Sequence, residues 1–274
     1  MWVWGACAGT SPVAAPDGPW VLQARSRRPA PGGSDAWTET TQTLRWDPKR
    51  TAVIICDMWD NHNCKSAARR VGQMVPRLNA LTRAARARGA LIVHAPSDTT
   101  EKFYAGAPER RPAREAPPVP LPPGVTEIKS CRFDATREGP FPFDNERWGC
   151  DDEPQCPSGK PYPWTRQHPG IEVAPEDVIS ESGREIYNLF RQRGITQVVM
   201  TGVHTNYCVL GRSFGIRQMV LLGIEVVLVR DLTDSLYNPR DPPRVSHERG
   251  TELVVEHIEK YWCGSILSRD VVGD

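Results

Sequence analysis

Four short runs of continuous apolar residues constrain this chain more than anything else in it: TAVIICDM at 51–58, ALIVHAP at 90–96, ITQVVMTG at 195–202 and the IEVVLVRD that opens 224–235. Each is short, bounded by turn residues or acids, and lacks the alternation of a strand with one wet face. That is the pattern of strands buried on both faces of a parallel sheet. Parallel neighbours need crossover connections, and the intervening segments have the period for them. Val71, Met74, Val75, Leu78, Leu81 and Ala85 recur at three- and four-residue steps and stop at Gly89. After a short strand at DVIS, 177–180, Ile186, Leu189 and Phe190 mark a helix closed by Gly194; residues 208–223 and 246–261 read as two more helices. The alternation predicts right-handed βαβ units in an α/β, Rossmann-like domain, its mostly parallel sheet of about six strands covered on both faces.

Residues 1–46 are rich in Pro, Gly, Ser, Arg and Trp without a sustained period, and are expected to form an extended N-terminal arm, partly ordered by its tryptophans, from which deletion of residues 1–40 costs little stability. The domain is expected to run over 47–274. It is interrupted at about 99–176 by a Pro-rich insertion of a length that suits a lid or binding segment. With 39% hydrophobic and 24% charged residues the chain suits one main domain. Lys plus Arg number 34 against 33 Asp plus Glu, so no charge excess points to nucleic acid or an anionic membrane. No run approaches the ~20 apolar residues of a bilayer span. The first twenty residues lack a basic n-region and a continuous apolar stretch, so no signal peptide is expected. The expected setting is cytoplasmic and the expected partner a small-molecule substrate, with neither nucleic acid nor membrane.

Eight cysteines, at 7, 56, 64, 131, 150, 156, 208 and 263, are too dispersed for a disulfide scaffold. Cys150 and Cys156, in GCDDEPQC, form the one local pair. Their spacing is unusual for zinc and no second pair lies nearby in sequence, which favours a loop disulfide or two free thiols; no metal or cofactor is expected. Cys208, in VVMTGVHTNYCVLG, is placed where a helix begins. Unpaired N–H groups and the helix dipole there favour a thiolate nucleophile, although a packed thiol is the plain alternative.

Ligands of open parallel sheets bind beyond the C-terminal ends of the strands. Asp57, the 202–208 turn and Asp231 all fall on that edge, Asp231 as a structural hydrogen-bond acceptor. A strand ending in Asp (VIICDM, 53–58), followed late in the chain by GVHTNYCV (202–209) and VVLVRDLTDS (226–235), resembles the isochorismatase-like cysteine hydrolases, the superfamily of nicotinamidases and N-carbamoylsarcosine amidases. The resemblance spans about residues 47–265 without the insertion. It implies a three-layer α/β/α fold, Cys208 as nucleophile, Asp57 as its base, and an oxyanion held by the turn around His204 and Thr205. It also implies cleavage of an amide-like or related C–N bond, and homo-oligomers.

The sequence departs from the family pattern in one place that matters. The family's lysine, in a D-x-V-I-x-K-like pattern, falls here on Ser182 or Glu181 of EDVISESG. Either a cation enters from elsewhere, with Lys65, Arg166 and Lys160 the candidates, or His204 or another group takes the role, or hydrolysis is lost and a non-hydrolytic binding or interaction module remains. A thiol redox role would require Cys56 or Cys64 as resolving partner. In WDNHNC, Asp60 and His62 raise the question of a metal, but the nicotinamidase D-W-H signature is absent, with only His94 and Asp98 in its place. Trp164 and Arg166, in YPWTRQH, are candidates for a pocket wall that stacks on substrate or binds its carboxylate.

Overall fold

The computed structural model describes residues 18–30, 36–144 and 147–273. In chain order they form β1 (Trp20–Pro29), β2 (Trp37–Trp46), β3 (Thr51–Cys56), α1 (Lys65–Ala87), β4 (Leu91–Ala95), the single turns α2 (Thr100–Phe103) and α3 (Arg111–Arg114), and β5 (Val178–Ile179). There follow α4 (Gly183–Arg193), β6 (Gln197–Val203), α5 (Ile216–Leu221), β7 (Glu225–Asp234), α6 (His247–Tyr261), β8 (Gly264–Ile266) and α7 (Arg269–Val272). One sheet of eight strands runs in the order β2-β1-β8-β7-β6-β3-β4-β5. From β8 to β5 every pair is parallel, which gives the six expected strands.

The continuous apolar runs are explained by two cores, one on each side of the sheet. Along β3, Ala52, Ile54 and Cys56 face a cluster with Ile186 of α4, Met219 of α5 and Val254 of α6. Val53 and Ile55 face the opposite cluster, with Val71 and Leu78 of α1 and Val271 of α7. A strand with apolar partners on both faces has no position left for a polar residue, and the architecture is three-layer α/β/α.

The segment expected to be a free arm is built into this sheet from Trp20 onward. β1 and β2 form an antiparallel hairpin, and β1 joins β8. Trp20, Leu22 and Ala24 are buried in the core on the α1 side, and Arg25 reaches the buried Glu259 of α6 at 2.7 Å. Alternate positions of β1 are buried, and this period-2 signal is short and diluted by the arginines around it. Residues 1–17 of the expected arm lie outside the described residues.

The single helix expected over 208–223 is two pieces. A π-helical turn, Thr205–Val209, leads into a break, and α5 starts only at Ile216. The break lays Ser213 O against Gly183 at the head of α4, where a Cβ would sit 1.9 Å from that oxygen, so only glycine fits. Arg217 of α5 is buried and ion-paired at 2.7 Å with Glu138 of the insertion. His257 Nε2 and Trp262 Nε1 reach the same carboxylate at 2.7 and 2.9 Å. A buried charge on α5 thus serves to tie down the insertion. Among the described residues no helix is long and apolar enough to cross a membrane.

Candidate active site

Asp57 follows the last residue of β3, is fully buried, and takes a φ of 48°. Its Oδ1 accepts the Ser97 N–H at 2.7 Å, beyond the end of the neighbouring β4. The other end of the site comes from β6. Gly202 (φ 98°) lies so close to β3 that a Cβ would meet Cys56 O at 2.0 Å, and the ladder to β7 shifts register there. That close approach carries the 203–208 turn to the flank of Asp57. Cys208, half-buried, sits beside the Asp57 carboxylate.

A third charged group completes the arrangement. Arg212, whose N–H donates to Cys208 O at 3.0 Å, turns its guanidinium back so that Nε lies 3.4 Å from Asp57 Oδ2. A second guanidinium nitrogen, Nη2, lies 3.2 Å from Asp98 Oδ2, and the guanidinium also stands beside Cys208. Glu181, one of the two positions on which the sequence resemblance places a lysine, accepts the Asp98 N–H and the Thr100 hydroxyl. Ser182, the other, caps α4.

Burial dominates the electrostatics here. It pushes the Cys208 thiol up, the Asp57 carboxylate pushes the same way, and Arg212 opposes both. Asp57 is also raised by burial, against Arg212, the Cys208 thiol and Ser97. The proton therefore rests on sulfur beside an aspartate that can take it. The thiolate favoured by a helix start is not the resting form, because Cys208 sits in a π-helical turn beside a buried carboxylate.

Cys208 and Arg212 stand between two cavities. One, of about 370 Å³, is walled by Trp59, His62, Trp148, Tyr162, Trp164 and His204. Its rings lie in a row: Tyr162 on Trp164 at 4.2 Å, Trp164 on Trp59 at 4.2 Å, and His62 between Trp164 (5.5 Å) and Trp148 (5.7 Å). Burial drops His62 to about 4 and holds His204 well below the usual imidazole range, so both rings are neutral near pH 7. His204 Nε2 and Trp164 Nε1 are buried without a hydrogen-bond partner. The second cavity, of about 600 Å³, is lined by Cys131, Phe133 and Phe141 of the insertion and by Arg217.

The residues singled out from sequence divide clearly. Asp57, Cys208, His204 and Trp164 come together. Thr205 instead turns its hydroxyl to Thr233 at 2.7 Å, away from the thiol. Lys65 is not beside Asp57: its Nζ binds Asn61 Oδ1 at 2.7 Å and His62 O at 3.0 Å. Arg166 packs over the Phe103 ring at 5.2 Å, and Lys160 over Tyr162 at 5.8 Å. The cation at the site is Arg212, four residues from Cys208, a spacing that puts both on one side of a helical turn. Asp60 and His62 share no ligand geometry: Asp60 accepts the Thr165 N–H and hydroxyl, while His62 Nδ1 accepts the Cys64 N–H. Asp231 accepts the N–H and hydroxyl of Ser268, a structural role. Cys56 donates to Val203 O behind the site.

No family model matches this chain, and no curated protein matches it. Solved structures do. The chain is similar to a cysteine hydrolase from Pseudomonas syringae pv. phaseolicola 1448A, with a TM-score of 0.49 and 18% identity over 84% of this chain and 94% of that one. It is similar to an isochorismatase family protein from Burkholderia thailandensis, with a TM-score of 0.48 and 18% identity over 82% and 94% of the two chains. An isochorismatase from Pseudomonas putida KT2440 gives 0.44 and 12% over 81% and 90%.

Proposed function

We propose that this protein is an isochorismatase-like cysteine hydrolase that cleaves an amide-like C–N bond in a small molecule. The observation that carries the reading is the contact of one thiol, one carboxylate and one guanidinium, Cys208, Asp57 and Arg212, at the mouth of an aromatic cavity. As the Cys208 sulfur attacks the substrate carbonyl carbon, the S–H proton passes to Asp57 and the carbonyl π pair moves to oxygen. Collapse re-forms the carbonyl, breaks the C–N bond, and sends the Asp57 proton to the departing nitrogen. The acyl group remains on sulfur as a thioester. Water then attacks that carbonyl, gives one proton to Asp57, and the proton returns to the Cys208 sulfur as the acid leaves. Arg212 offsets the charge of Asp57 and of the sulfur, and its guanidinium is the donor that meets the developing oxyanion.

The row of parallel rings favours a flat, unsaturated acyl group. The test is a panel of small aromatic and heteroaromatic primary amides, read by ammonia release and by the mass of an acyl adduct on Cys208. Cys208→Ser and Asp57→Asn are expected to keep the fold and to lose turnover. Turnover within a few-fold of wild type in Cys208→Ser would take the thiol out of the mechanism.

A further inference from the structure

Three thiols and a carboxylate with no part in the Cys208 chemistry converge at the start of α1. Cys64 immediately precedes that helix, and Cys150, Asp152 and Cys156 come from GCDDEPQC in the insertion. One ligand atom from each, three Sγ and a carboxylate oxygen, lie within 4.8 Å of one another. Cys64 and Cys150 are buried, Cys156 and Asp152 half-buried, and all three cysteines are free thiols. Tetrahedral zinc, with Zn–S near 2.3 Å and Zn–O slightly less, holds its donors roughly 3.5–3.8 Å apart. Small rotations about χ1 close the difference.

The surroundings are those a thiolate cluster needs. The Cys64 thiol donates to Asp151 Oδ1 at 3.2 Å. Trp148 Nε1–H donates to Cys156 Sγ at 3.2 Å. The Asp152 carboxylate is oriented by the Lys65 and Ser66 N–H groups at 2.6 and 2.9 Å, and Arg70 lies on the neighbouring Asp151 at 2.8 Å. Gln155 folds the loop by donating to Trp148 O and Cys150 O. A disulfide would use two of the sulfurs and give no role to the third or to Asp152. Three convergent thiols and an oriented carboxylate, with an N–H···S bond to Cys156 and a cation and a helix start beside them, instead favour a metal that draws charge onto all four donors.

We propose that Cys64, Cys150, Asp152 and Cys156 form a zinc site that clips the insertion to the start of α1. Binding forms three Zn–S bonds and one Zn–O bond, releases three thiol protons to solvent, and changes no oxidation state. Its place gives it a consequence for the cleft. His62 precedes Cys64 by two residues and Trp148 precedes Cys150 by two, and both rings wall the aromatic cavity. The metal would therefore hold that wall in register without touching substrate.

The test uses the full chain purified under reductant without chelator. Elemental analysis is expected to give about one zinc per chain. After chelation, Co²⁺ alone is expected to produce a thiolate charge-transfer band and tetrahedral d–d bands, which Zn²⁺ then bleaches. Cys64→Ser, Cys150→Ser and Cys156→Ser should each weaken Zn²⁺ binding by on the order of 100-fold or more. Cys208→Ala should leave stoichiometry and spectrum unchanged. Folded wild-type protein without a Co²⁺ charge-transfer band overturns the proposal, as does loss of that band in Cys208→Ala or a Cys150–Cys156 disulfide in the peptide map. None of these readouts depends on turnover, so the site and the hydrolase reading fail separately.

Discussion

Arg212 Nε stands 3.4 Å from Asp57 Oδ2, and the guanidinium belongs to the same turn of chain that carries Cys208. In the pattern this sequence resembles, the cation comes from the strand before α4. Here that stretch presents Glu181, whose carboxylate holds the Asp98 N–H, and Asp98 in turn pairs with Arg212. The positive charge beside Asp57 comes from the turn after Cys208, and Asp98 pairs with it from the other end of the guanidinium.

Replacing Arg212 by Met is therefore expected to lower kcat/KM by on the order of 10²–10³, the usual cost of one charge-stabilising donor. Arg212→Lys should recover part of the loss. Lys65→Met and Arg166→Met should remain near wild type, since their cations are engaged with Asn61 and with the Phe103 ring. Steady-state kinetics on any hydrolysed amide checks this; an Arg212→Met enzyme within a few-fold of wild type would leave the charge without a catalytic part.

Alkylation of Cys208 reports the same electrostatics. Burial and Asp57 push the thiol up, so the iodoacetamide rate at Cys208 should still be climbing as pH rises past the free-thiol value of about 8.5. In Arg212→Met, with the opposing charge gone, the rate at a given pH should fall further. A flat profile from pH 6 to 9 in the wild type would mean that sulfur carries no proton at rest.

The central sheet was legible because β3, β4, β6 and β7 are buried on both faces and their sequences are runs of mostly apolar residues. Asp57 and Cys208 were legible because strand ends in a parallel sheet must meet along one edge. Arg212 was missed although it stands four residues from the nucleophile: 208–223 read as one continuous helix with mixed small and charged residues, and nothing in that pattern marks the break at 212–215 that goes with its inward turn. Cys64 was missed as a neighbour of Cys150 and Cys156 because their meeting depends on how the insertion folds over α1. The hairpin was missed because its inward positions are few and lie among arginines that find their acids on α6.

Trp20 shows what that hairpin contributes. It is 1% exposed and packs in the core on the α1 side, so Trp20→Ala should destabilise by about 3–5 kcal/mol. Removal of residues 1–40, which takes β1 and part of β2, should cost at least as much. Chemical denaturation of both variants is the check, and a midpoint unchanged by the deletion would mean that the sheet is complete from β8 inward.

The aromatic row should act on binding more than on chemistry. Trp164 stacks on both Trp59 and Tyr162 at 4.2 Å. Trp164→Ala removes the middle ring, and a lost stack of 0.5–1.5 kcal/mol corresponds to a KM increase of roughly 3- to 10-fold with kcat little changed. A fall in kcat alone would place Trp164 at the reacting atoms instead.

Acid should release the insertion before it unfolds the sheet. Glu138 is buried, which raises it, but His257, Arg217 and Trp262 all bond its carboxylate and bring it down to about 2. The Asp134 N–H also donates to it, at 3.0 Å. A carboxyl held below its unfolded value binds fewer protons folded than unfolded, so its stabilisation is fully present above pH 4.5 and is lost as pH falls toward 2. The shift corresponds to on the order of 2 kcal/mol after allowance for solvent screening. Glu138→Gln should therefore lower stability at pH 7 and flatten its decline between pH 4.5 and 2, since the amide cannot titrate. Because Glu138 ties the insertion to α5 and α6, proteolysis of the wild type at pH 3 should begin within 99–176, and the variant should already be cut there at pH 7. Parallel acid denaturation curves for the two proteins would show that this carboxylate does not set the pH dependence.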